Sequence, residues 1–188
     1  MQLIIIDGLD ASGKSTQGKL LTDFLRKRGK KVFLRMHPSD NCFFGKKAKL
    51  FLQCSGKSAH FCSAFFYMCD VLRSIILYAW RKFDFIVFVR YLMGTAYLPS
   101  PLDKLGYLFF SSVVPTSELM FFLDVTPAEA YKRNLLRGTP PEMFESLEEL
   151  ERIRKKALAL TSGRWIMVNA DRPRNEVNSE IQRHIKLS

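Results

Sequence analysis

The stretch Gly8-Leu9-Asp10-Ala11-Ser12-Gly13-Lys14-Ser15-Thr16 places two glycines with four residues between them, then a lysine and two hydroxyls. This spacing, G-x-x-x-x-G-K-[ST], suits the grip of a phosphate chain. The glycines let the backbone come close, and its N–H groups together with a helix N-terminus supply partial positive charge. Lys14 has the length to reach the β- and γ-phosphates, and the Ser15 hydroxyl is placed to ligate Mg²⁺. An apolar run, Ile4-Ile5-Ile6, reaches Asp7 just before the loop, and a helical pattern follows Gly13. Strand, loop and helix in that order are the context the motif requires. The chemistry indicated is binding of a nucleoside triphosphate. A GTPase would also carry an N-K-x-D base-reading motif, and the sequence has none. The chain is short for an ATP-driven motor, and its size suits a kinase of small molecules.

A second group of candidates is cationic. Arg90 follows the apolar run "FIVFV" and so stands at the C-terminal end of a predicted strand, where open α/β sheets bind their ligands. Arg133 and Arg137 share one face of a predicted helix at i, i+4. Asp70 and Arg73 have the i, i+3 spacing of a helical ion pair.

The elements that must position these groups are legible as alternating patterns. Residues 2–7, 31–36, 84–90, 118–124 and 164–169 read as strands, apolar without strict alternation, as in strands covered on both faces. Helical patterns occupy 14–29, 58–82, 99–112, 127–137, 146–160 and 173–186. The expected architecture is α/β: a three-layer P-loop NTPase fold, with a mainly parallel five-stranded sheet and helices on both faces. The 188 residues are 47% hydrophobic, which suits one domain with a full core and is short for two. Residues 59–80 are long and apolar, but Asp70 and Arg73 in their middle argue for a buried soluble helix over a membrane span. Phe61, Phe65, Met68, Leu72, Ile75 and Ile76 are expected to face the core.

Met1-Gln2-Leu3 leads directly into a strand pattern, so no leader is expected and the expected location is cytoplasmic. The four cysteines form no C-x-x-C pair and read as reduced thiols. The formal net charge of +11 suits an anionic partner. The densest basic runs are only Arg26-Lys27-Arg28 and Lys30-Lys31, so nucleic acid is disfavoured as the main partner. Nothing in the pattern decides between a monomer and a homodimer.

Five segments in order resemble the thymidylate kinase family over nearly the whole chain. They are the loop G-L-D-A-S-G-K-S-T, "VRYLMGTAY" (89–97), "FFLDVTPAEAYKRNLLRG" (121–138), "MFESLEELERIRKKALAL" (143–160) and "VNADRPRNEV" (168–177). The resemblance implies ATP as phosphoryl donor, Mg²⁺ as cofactor and a nucleoside monophosphate, dTMP-like, as acceptor. It implies that Gly8, Asp10, Ala11, Ser12, Gly13, Lys14, Ser15 and Thr16 hold the donor, and that Asp10 also meets the acceptor's 3′-hydroxyl. Arg90 would grip the acceptor phosphate, and Arg133 and Arg137 would belong to a lid near 133–146 that neutralises the transferring group. Tyr67 would stack on the acceptor base, with Arg73 nearby, and Tyr97 would crowd the sugar's 2′ position.

The chain departs from that family pattern at several points. Val89 stands where the family has the Asp of D-R-Y, and Val71 where an arginine reads the base edge. His37-Pro38-Ser39 replaces E-P-G, and Glu142-Met143 replaces a lid D-R pair. Gly94 and Leu98 replace a Ser and a Gln. Asp7 or Asp124 could substitute for the missing carboxylate. The rival reading is a nucleotide-binding module with weak or no kinase activity.

Overall fold

The computed structural model describes residues 1–54, 56–78, 81–137, 146–161 and 163–186; the side chains of Lys57, His60 and Arg137 are outside the description. The elements are β1 (Gln2–Gly8), α1 (Lys14–Arg26), β2 (Val32–Met36), α2 (Phe43–Leu52), α3 (Lys57–Tyr78), β3 (Phe85–Val89) and a 3-10 turn (Met93–Tyr97). There follow α4 (Leu102–Val113), β4 (Leu119–Asp124), α5 (Pro127–Arg137), α6 (Leu147–Leu160), β5 (Ile166–Asn169) and α7 (Arg174–Arg183).

The five strands form one parallel sheet in the order β2-β3-β1-β4-β5. β1 is central, with Ile6 opposite Val89 of β3 and Gly8 opposite Leu123 of β4. Every residue of β3 is buried, as are Ile4, Ile5 and Ile6, because helices cover both faces. The chain leaves β1 into the glycine-rich loop and leaves β3 at Arg90. Both exits lie at the carboxyl edge of the sheet, side by side.

Polar contacts fix how α1 sits. Asn178 of α7 donates to Gln17 Oε1 (3.0 Å), and Gln17 Nε2 donates to the Arg174 carbonyl (2.8 Å). Gly18 faces the sheet: a Cβ built there would come within 2.6 Å of Val89 Cγ2. The helix therefore meets the Val89 side chain of the strand with bare backbone.

α3 corrects the sequence reading. Phe61, Phe65 and Ile76 are 48, 56 and 69% exposed, whereas Ser63, Asp70, Val71 and Ser74 are buried. Met68, Leu72 and Ile75 are half-buried against the core. The buried stripe has the helical period but a different phase from the apolar one. Its polar members are paid for by hydrogen bonds: Asp70 accepts from the Ser39 backbone N–H (2.6 Å), the Ser39 hydroxyl (2.8 Å) and the Cys42 thiol (3.1 Å). Arg35 Nη2 lies 3.4 Å from the same carboxylate, and no Asp70–Arg73 pair forms among the described residues. α2 and the 3-10 turn have no counterpart in the sequence reading. α2 is capped by Cys42 Sγ, which accepts from the Gly45 N–H (3.3 Å), a cap residue outside the usual Ser/Thr/Asp/Asn set.

Candidate active site

The loop after β1 bends through positive φ at Gly8 (147°), Ala11 (58°) and Gly13 (89°). At Gly8 a Cβ would stand 2.5 Å from the Leu123 carbonyl oxygen, so glycine is required there. α1 begins at Lys14 without a side-chain cap, which leaves its first N–H groups for an incoming anion. Lys14 is 3% exposed, and its Nζ donates to the carbonyls of Gly8 (3.0 Å) and Leu9. Ser12 Oγ is buried without a hydrogen-bond partner, while Ser15 and Thr16 open toward solvent. These donors fit a phosphate chain.

Arg90 has the left-handed backbone (φ 59°), uncommon for a residue with a Cβ and a frequent mark of functional sites. Its Nη2 donates to Asp10 Oδ1 (2.8 Å), which lies 3.9 Å from Lys14 Nζ. Tyr97 OH donates to Asp10 Oδ2 (2.9 Å). Burial by itself would raise the Asp10 carboxyl, but Arg90, Lys14 and the Tyr97 hydroxyl hold it down at about 2. The glycine-rich loop and the arginine that follows β3 thus share one ionised carboxylate.

A cleft of about 520 Å³ opens from this cluster between α3 and α4, and Asp10, Arg90, Tyr67 and Tyr97 all line it. Tyr67 lies against Gly94, where an added Cβ would be 2.7 Å from the ring. Arg73 does not line the cleft: six positions after Tyr67 it points roughly 240° round the helix. Val71 is fully buried and does not reach the cleft.

The acids available near Val89 are already engaged. Asp7 Oδ2 accepts from the N–H groups of Tyr91 (2.9 Å), Leu92 (2.8 Å) and Met93 (3.2 Å), shaping the turn behind Arg90. Burial nevertheless raises its carboxyl above the usual range, against the pull of those amides and Lys14. Asp124 holds Arg154 in a fork at 2.7 and 2.8 Å, which assigns Arg154 to a structural pair. Arg133 Nη1 and Nη2 donate to the carbonyls of Ala11 (3.4 Å) and Ala170 (3.0 Å), tying α5 to the phosphate loop. Arg137 ends α5, and Glu142-Met143 lie outside the described residues.

His37 is the site residue whose role the sequence did not disclose, although its departure from E-P-G marks the position. Its Nδ1 is hydrogen-bonded to the Arg90 carbonyl (3.0 Å), as only an N–H can be, and Nε2 lies 2.9 Å from the Ser74 hydroxyl. The ring thereby fixes the backbone that aims Arg90. Burial, opposed by the Asp70 charge, pulls the imidazole down to about 4 from 6.5. Between those values the unfolded chain binds the extra proton, so stability is full above pH 6.5 and falls as pH drops toward 4. In His37→Gln, thermal melts between about pH 6.5 and 5 should show a flatter decline in Tm than the wild type. An equally steep decline would assign the acid sensitivity to other groups.

The comparisons with known proteins agree on one family. A family model described as thymidylate kinase matches residues 6–181. A probable thymidylate kinase of Pyrococcus abyssi is 28% identical over 194 residues, covering 97% of this chain and 95% of the relative. A thymidylate kinase of Xanthomonas oryzae is 30% identical over 161 residues, covering 81% and 68%. The thymidylate kinase structure from Candida albicans superposes with a TM-score of 0.79 at 20% identity, over 97% of this chain and 89% of that one, a likeness of fold. With the family match running from the last residues of β1 into α7, the chain belongs to the thymidylate kinase family.

Proposed function

We propose that this chain transfers the γ-phosphoryl group of ATP to a nucleoside monophosphate, with dTMP as the acceptor of first choice. The observation that carries the reading is Asp10, which holds Lys14 of the phosphate loop and Arg90 of the cleft on one carboxylate. Two phosphate-binding cations a few ångströms apart, one at the loop and one facing the cleft, suit a donor and an acceptor laid end to end.

In this reading Lys14 leaves the Gly8 and Leu9 carbonyls for the donor's phosphates, alongside the N–H groups at the start of α1. Arg90 fixes the acceptor phosphate. Asp10, ionised at neutral pH, takes a hydrogen bond from the acceptor's sugar hydroxyl, and Tyr97 limits the space beside it. Phosphoryl transfer then rests on alignment and charge neutralisation. Mg²⁺, carried with the phosphates and held by Ser15, would neutralise charge on the transferring group. Arg133 and Arg137 would close over it from a lid near 133–146 of a single kinase domain. We take the enzyme to be soluble and cytoplasmic. A coupled ADP-release assay over a panel of monophosphates tests the reading. ATP binding without turnover on any of them would overturn it in favour of a binding module.

Val89 sets the expected rate. The residue is 1% exposed and packed on Gly18, so no carboxylate serves there. Val89→Asp is expected to raise kcat about tenfold, which is a barrier change of about 1.4 kcal/mol. It should also lower the Tm by about 5 °C through burial of an acid. A wild type already turning over at an ordinary kinase rate of about 1–100 s⁻¹, with no gain in the variant, would show that the position is compensated.

A further inference from the structure

Among the described residues, the cleft carries one charged side chain apart from the Asp7, Asp10 and Arg90 cluster at the loop. Lys49, in the last turn of α2, lines the cleft together with Leu52 of the same helix and Phe65 and Met68 of α3. Two hydroxyls on these walls are committed elsewhere. Ser63 donates to the Ala48 carbonyl (3.2 Å) and Thr95 to the Leu92 carbonyl (2.9 Å). The Tyr67 hydroxyl is buried, with its ring packed on Gly94. Val71 and Arg73 do not line the cleft. Lys49 itself is 42% exposed and pairs with Asp40, which is 86% exposed. An ion pair this open to water holds its partners weakly, and the lysine stem is flexible enough to turn the ammonium inward.

We propose that Lys49 reads the edge of the acceptor's base by donating to a ring carbonyl oxygen, and so selects a pyrimidine with a carbonyl at position 4 over one with an amine there. The inference rests on the nucleoside monophosphate reading above. An ammonium has three donors and no acceptor. Against apolar walls its hydrogen bond to a carbonyl is strengthened by charge and low dielectric. An exocyclic amine in the same place would set donor against donor and leave both unpaired, a mismatch that a binding site rejects strongly.

The test compares wild type with Lys49→Met, which keeps the length and apolar stem, and Lys49→Gln, which adds an acceptor. KM and kcat are measured for dTMP, dUMP and dCMP at saturating ATP, with calorimetric titration of dTMP and dCMP alongside. In Lys49→Met the KM for dTMP and dUMP should rise about tenfold, kcat should stay within about threefold, and the KM for dCMP should not rise. Lys49→Gln should narrow the gap between dTMP and dCMP further. An unchanged dTMP/dCMP ratio would overturn the proposal. So would an equal loss on all three, which would place Lys49 on the sugar or phosphate. If the wild type turns over none of them yet binds ATP, the kinase reading fails. The ratio of dTMP to dCMP affinities in the titrations still decides the role of Lys49, and a wild type that binds neither overturns it.

Discussion

With Lys14 replaced by alanine, kcat should fall by about 10²–10³-fold, the loss that follows removal of a single preorganised charge stabiliser. ATP affinity measured by calorimetry should fall with it. The fold should survive, because the Lys14 ammonium donates to carbonyls of the adjoining loop, while the sheet and helices are held by a continuous apolar core. Thermal melts should therefore overlay to within a few degrees. Equal ATP affinity in variant and wild type would remove the loop from the donor site altogether.

Arg90→Ala should cost about a hundredfold or more in kcat/KM for the acceptor while leaving the KM for ATP nearly unchanged. The guanidinium is one-third exposed at the mouth of the cleft and contacts Asp10. Alanine tolerates the left-handed backbone no worse than arginine does, so backbone strain is unchanged and the loss reports the side chain. Arg90→Lys should recover only part of the activity, since an ammonium lacks the planar fork that matches a phosphate. A variant whose acceptor KM and kcat both match the wild type would sink the assignment. A second readout is the Asp10 carboxyl, which should titrate above its present value of about 2 once its nearest cation is gone.

The sheet was legible in the sequence because a parallel sheet writes itself as unbroken apolar runs. "LIIID", "FIVFV" and "MFFLD" could be placed to within a residue or two. The phosphate loop was legible because its spacing and its neighbours are both specific. α3 was misread for a physical reason. Burial there follows hydrogen bonding, with Asp70 and Ser74 inside and Phe61 and Phe65 outside, so hydropathy pointed to the wrong side of the helix. α2 gave little signal because a cysteine caps it. The link from His37 to the Arg90 carbonyl joins residues 53 positions apart, a distance that no local pattern spans.

The bare contact of Gly18 with Val89 bears on how the reacting groups are spaced. α1 carries Lys14 one turn before Gly18, and β3 ends one residue before Arg90. The helix contributes no side chain to this contact, and the strand contributes the short, branched one of Val89. For the grips proposed at Lys14 and Arg90, the separation is set where glycine backbone meets one stiff, β-branched side chain, like a fixed jaw. Any adjustment to substrates of different length has to come from the walls around that jaw.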